Sequence, residues 1–121
     1  MTRSGTLKAL IGIRMAVGIS AWSAPRLTGK LFGLDADANP QSPYLARLFG
    51  VRDLALACGV LGSEGSARRQ WLVAGLACDV ADALAGAAGG REGYLPKLSS
   101  ALVSATAVAG AAMGIAALRE D

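Results

Sequence analysis

Arg14, Arg52, Asp53, Asp79 and Asp82 are the residues of this chain whose types and positions could do chemistry. Each lies inside a run that is otherwise Leu, Ile, Val, Ala and Gly. An ionisable side chain facing lipid at the middle of a bilayer costs at least about 2.5 kcal/mol, so such groups turn inward and pair with one another. Arginine keeps its proton in proteins, so Arg14 and Arg52 can serve as counter-ions or bind an anion. The aspartates can accept hydrogen bonds, balance the arginines or exchange a proton. Two fixed positive charges face three carboxyl groups, which leaves one carboxyl in surplus. Asp79 and Asp82 are three residues apart on one helical face, and two carboxylates so placed rarely ionise together without compensation. Asp79 or Asp82 is therefore the expected site of proton exchange. The competing expectation is a fixed ion-pair network that holds marginal helices in register.

Several other chemistries are removed by composition. The chain has no His, which takes away the commonest metal ligand and the commonest general base together. No Ser therefore has an imidazole to activate it, and no glycine loop precedes a basic residue in a phosphate-binding register. Asp35-Ala36-Asp37-Ala38-Asn39 imitates the opening of a calcium loop, but Pro40 replaces the required glycine and Ala46 the closing glutamate. No metal site and no cofactor are expected. Cys58 and Cys78 lie in apolar segments and read as packing residues without an electropositive setting. The formal charge of +3 is small and scattered, with no basic stripe interleaved with aromatics, so nucleic acid is not an expected partner.

The elements that must position the five residues are long and apolar. Hydrophobic residues make up 53% of the 121-residue chain and charged ones 17%, against about 25% in a soluble domain. The pattern predicts an all-α fold, a single integral membrane four-helix bundle over residues 1–121 with short loops. Its helices are expected at about 6–24, 43–62, 67–88 and 97–118, each near the roughly 20 residues needed to span a bilayer. Pro25 stops the first helix and Pro43 suits the first turn of the second. Gly89-Gly90 is expected to end the third. Leu98 to Leu118 is a run of 21 residues without a charge. Between the first two helices Leu27, Leu31, Phe32 and Leu34 recur at helical spacing, so part of that segment is expected to lie flat at the membrane interface. The N-terminal run resembles a signal sequence, but Arg14 interrupts it and Trp22-Ser23-Ala24 is a poor cleavage site, so it is read as a retained helix.

With antiparallel neighbours, Arg14, Arg52, Asp53 and Asp79 fall at about nine or ten residues from the same side and Asp82 at about seven, a spread of little more than a turn. Asp79 and Asp82 share a face with Leu72, Gly75 and Gly86, and Arg14 shares one with Gly18 and Ala21; such small residues let helices approach closely. Arg52 and Asp53 point about 100° apart and can address two neighbours. Arg47, near the start of its helix, can extend outward to the interface. Gly110 and Gly114 have the spacing of a close helix contact and could serve a homo-oligomer or a larger membrane partner. Arg3, Lys8, Arg68, Arg69 and Arg119 fall on one side and Arg26, Lys30, Arg91 and Lys97 on the other. Five against four favours both termini in the cytoplasm, in the cytoplasmic membrane of a bacterium.

Arg14 followed by Gly18, Pro25 and Gly29-Lys30-Leu31-Phe32-Gly33-Leu34 resembles the first helix and loop of DoxX-like small membrane proteins. Leu48-Phe49-Gly50-Val51-Arg52-Asp53-Leu54-Ala55, followed by Asp79 and Asp82, is similar to a related family of four-helix membrane proteins of unassigned function. The resemblance covers most of the chain and implies a four-pass bundle, with relatives that are sometimes accessory subunits of oxidoreductase systems. Small multidrug transporters share the length, but they use a membrane-embedded Glu in the first helix where this chain has Arg14.

Three functions fit. The first is a non-catalytic accessory or interaction subunit in the lipid bilayer. The second is a proton-coupled carrier holding a polar or anionic solute between Arg14 and Arg52. The third is an intramembrane enzyme on a lipophilic substrate such as an epoxide or isoprenoid, with Asp53, Asp79 and Asp82 as acid–base groups and Arg52 as orienter. No nucleophile is evident, so a non-enzyme is the expectation.

Overall fold

The computed structural model describes residues 4–120. Arg3, counted above toward orientation, and Asp121 lie outside the described residues. Among the described residues all regular structure is helical: α1 (Gly5–Ser23), α2 (Pro25–Leu31), α3 (Ser42–Leu61), α4 (Gly65–Glu92) and α5 (Lys97–Arg119).

The helix ends follow from local chemistry. Ser4 caps α1 by accepting the Leu7 N–H at 3.0 Å. Pro25 cannot continue α1 but seeds α2, where its missing N–H costs nothing. Gly33, at φ +78, closes α2: the Leu34 N–H reaches the Gly29 carbonyl at 3.0 Å and the Gly33 N–H that of Lys30 at 2.9 Å. This is the six-to-one and five-to-two hydrogen-bond pair of a Schellman motif. The expected interfacial segment thus contains one short helix, with Leu27 and Leu31 exposed on it. In the calcium-loop lookalike, Asp35 Oδ1 accepts the Asp37 N–H at 2.9 Å, an ordinary Asx turn.

One boundary differs by several residues. Gly89-Gly90 does not end the third long helix, which runs on to Glu92. Gly89 is buried against Tyr94 and Leu95, and Gly90 lies against the Ser100 side chain, so both glycines are held helical by packing. The stop comes from Gly93, left-handed at φ +88.

The four long helices run up and down in a ring, α1 beside α3, α3 beside α4, α4 beside α5 and α5 beside α1. Two pairs are intimate: α1 with α3, and α4 with α5. In the first, Gly18 and Gly50 bring the backbones together so closely that a Cβ on either would stand 2.8 Å from the other's carbonyl oxygen. In the second, Gly86 faces Ser104 and Gly90 faces Ser100, and both hydroxyls donate across the pair, Ser100 to the Gly86 carbonyl at 2.7 Å and Ser104 to that of Ala83 at 3.3 Å. Gly110 and Gly114 belong to this same contact: a Cβ at Gly110 would meet the Asp79 carboxylate, and one at Gly114 would touch Leu76. The spacing read as a possible intermolecular surface is used inside the chain.

The interior is layered. Near the ends that carry Leu7 and Leu118, Leu7, Leu10, Ile11, Ala57, Val60, Leu72 and Ala117 form an apolar core, with Met15 and Met113 against it. The charged residues follow, and beyond them is a layer of glycine and serine. The outside is apolar as well. Leu84 is 68% exposed and Leu98 66%, whereas Arg14 is 7% and Asp53 5% exposed. Two helices, α4 and α5, are long and apolar enough to cross a membrane.

Candidate functional site

Arg14 stands on α1 beneath Gly18 and extends across the bundle. Its Nη2 donates to Asp79 Oδ2 on α4 at 2.7 Å, with both side chains less than a tenth exposed. The backbones of α1 and α4 lie on opposite sides of the ring and do not adjoin. The guanidinium therefore spans the diagonal, and glycine makes the room. A Cβ at Gly75, one turn before Asp79, would stand 2.9 Å from Arg14 Nη2. A Cβ at Gly110 on α5 would stand 2.8 Å from the Asp79 Oδ2 that receives the bond. Larger residues at either glycine would fill space that the ion pair occupies.

Arg52 makes the second pair. Its Nη1 and Nη2 donate to Asp82 Oδ1 and Oδ2 at 2.9 and 2.5 Å, the two-pronged geometry that suits guanidinium and carboxylate. Phe49, one turn earlier on α3, places its ring 4.5 Å from the guanidinium carbon, so the free face of Arg52 rests on an aromatic π-cloud. Arg52 thus gives its edge to α4 and its face to its own preceding turn.

Asp53 joins the two pairs. Its Oδ1 lies 4.0 Å from Arg14 Nη1 and 3.7 Å from Arg52 Nη2, within Coulombic range of both, and accepts no hydrogen bond. The order Asp79–Arg14–Asp53–Arg52–Asp82 is one network of alternating charge. All five residues singled out from the sequence come together in it. The surplus carboxyl, however, is not one of the same-face pair. Asp79 and Asp82 each receive a guanidinium of their own, because they reach helices on different sides of α4: one looks to α1, the other to α3. Asp53 is left without a hydrogen-bonded partner at Oδ1.

Arg47 is outside the network. Its Nε donates to the Trp22 carbonyl at 3.0 Å, at the last turn of α1, and its guanidinium lies 5.9 Å over the Trp22 ring. It acts as an exposed clasp between α1 and α3. Cys58 and Cys78 are both free thiols.

Three features of the site and its surroundings are not anticipated by the sequence: Phe49 under Arg52, Gly110 as the seat of the Asp79 carboxylate, and the contact of Gly33 with Ser99. Phe49 carried a signal, since an aromatic three residues before an arginine on a helix lies within its reach. The other two carried none, because they join segments far apart on the chain's path. No protein-family model, no curated protein and no solved structure matches this chain.

Proposed function

We propose that this chain is a small integral membrane protein of four spanning helices, acting as an accessory or interaction subunit whose Arg–Asp network is structural. The observation that carries the structural role is that the buried Arg14 and the partly buried Arg52 are each hydrogen-bonded directly to an aspartate of their own. Groups serving a solute or a substrate would present those bonds to a cavity. Here they are spent on one another.

The membrane reading rests on an inverted polarity. Charges lie inside, while Ile13, Ile19, Val73, Leu84 and Val108 lie outside. Water would penalise such a surface at roughly 25 cal/mol per Å² of exposed apolar area, and lipid would not. The helices α4 and α5 have the apolar length to span. The 19 residues of α1 and 20 of α3 rise about 28–30 Å, close to a hydrocarbon thickness. Of their charges at depth, Arg14 and Arg52 are neutralised across the bundle by Asp79 and Asp82. Trp22, Tyr44, Trp71 and Tyr94 sit near helix ends and are all partly exposed, as an aromatic belt would be. The motifs that resemble those of DoxX-like proteins point the same way, toward a four-pass bundle, and the five-against-four distribution of basic residues favours cytoplasmic termini.

The test is reconstitution and partner capture side by side. The full chain should resist alkaline extraction from membranes and crosslink in them to a larger membrane protein. Purified in proteoliposomes, it should carry no pH-driven solute flux. Flux that Asp79→Asn abolishes would replace the subunit by a carrier, and release on alkaline extraction would remove the membrane assignment.

A further inference from the structure

We propose that Asp53 is a proton-binding site, at which the charged core takes up and releases one proton. Three observations lead there. Asp53 is 5% exposed, and its Oδ1 accepts no hydrogen bond. Both guanidinium groups near it are turned to other acceptors, Arg14 to Asp79 and Arg52 to Asp82. And Arg52 Nε, beside it, is likewise buried with no partner.

An ionised carboxylate flanked by two guanidinium groups draws them to about 2.7–2.9 Å, the length of a charge-assisted hydrogen bond. Here the approaches stop at 4.0 and 3.7 Å. A neutral carboxyl group exerts no such pull and can stay at that distance.

The charge inventory agrees. Arg14 faces Asp53 from α1, Arg52 adjoins it on α3, and Asp79 and Asp82 act on it electrostatically from α4, whose Cys78 thiol lies within electrostatic range of Arg52. The charged groups of α5, Lys97 and Arg119, are at its ends, and Arg26 and Lys30 of α2 are exposed away from the network. Two arginines against three carboxylates leave one negative charge inside the bundle. One proton on Asp53, taken from solvent and returned to it, makes the network neutral without disturbing either hydrogen-bonded pair. A neutral network is the form that an apolar interior penalises least.

This inference does not depend on the accessory role. It is tested on the full chain in phosphatidylcholine vesicles by following carboxyl C=O infrared absorption as pH is stepped from acid to alkaline in H₂O and D₂O. Apart from the band of the solvent-exposed carboxyls, one further high-frequency C=O band, that of a carboxyl whose oxygen accepts no hydrogen bond, is expected to titrate in the wild type and in Asp82→Glu, and to be lost completely in Asp53→Asn. Because a primary amide is isosteric with a protonated carboxyl, Asp53→Asn should also keep the cooperative thermal unfolding of the wild type. A wild type without that high-frequency titrating band, an Asp53→Asn variant that retains it, or one that no longer folds would each overturn the proposal.

Discussion

Arg14 and Asp79 form the more enclosed of the two hydrogen-bonded charge pairs of the network, and their energetics are asymmetric. Removing one partner of such a pair strands the other charge in a low-dielectric interior, at a cost of about 3–5 kcal/mol. Asp79→Asn is therefore expected to lower stability by that order, read as the midpoint of unfolding in detergent. Replacing both groups by apolar residues of similar size, Arg14→Met with Asp79→Leu, should recover much of the loss, because no charge is then left unpaired. Equal losses in the single and double variants would mean that the pair is not coupled. Arg52→Lys tests the second pair. Lysine keeps the charge but cannot reproduce the two parallel bonds to Asp82 or lie flat on Phe49. A loss of about 0.5–1.5 kcal/mol is expected, the value of a typical hydrogen bond, since the charge is kept and the site is partly exposed, and an unchanged unfolding midpoint would show that the fork contributes nothing.

Glycine governs the relation between elements. Gly18 and Gly50 set the closest approach of α1 and α3, and a Cβ at Gly50 would stand 2.8 Å from the Gly18 carbonyl oxygen and 3.0 Å from the Trp22 backbone nitrogen. Backbone atoms cannot rotate away, so Gly50→Ala should force the pair apart and cost about 1–3 kcal/mol, as overpacking does. Gly12 is the control. It lies in α1, and a Cβ there would meet nothing within 4 Å. Gly12→Ala should therefore be neutral or stabilising by up to about 1 kcal/mol through helix propensity. Matching losses at the two positions would argue that glycine serves the helices generally, not this contact. The same distinction explains why most helix boundaries are legible in the sequence and one is not. Proline and charge patterning place the four long helices to within a few residues. Gly89-Gly90 misleads because a glycine pair reads as a break only when nothing packs on it, and here Tyr94, Leu95 and Ser100 do.

At the scale of the whole molecule, α1 with α3 and α4 with α5 are two close pairs whose mutual contacts are thinner. The first pair brings Arg14, Arg52 and Asp53; the second brings Asp79 and Asp82. Both hydrogen-bonded ion pairs cross the boundary between them. Neither half has a neutral interior by itself, so charge complementarity joins them where apolar contact is less extensive. In the membrane setting proposed above this joint would matter more, since burying apolar surface gives helices no advantage over contact with acyl chains. The up-and-down order also makes a topological prediction. With Cys58 and Cys78 replaced by alanine, a cysteine at Asn39 and one at Glu92 should react with a membrane-impermeant maleimide from one side of sealed vesicles, and one at Glu64 from the other. All three reacting from the same side would be incompatible with four spans.

The sequence by itself determined which residues are charged, that they stand in apolar helices, and that they share a depth. Those properties follow from residue type and from the fixed rise and period of a helix. It did not determine which arginine meets which aspartate. Period and rise say where a side chain lies along and around its own helix, but not which neighbour stands opposite. That depends on the order of helices in the ring, set by glycine contacts between distant segments, and on Arg14 reaching a helix whose backbone does not adjoin its own. Only the tertiary structure therefore gave Asp79 and Asp82 separate partners and left Asp53, not either of them, as the surplus carboxyl.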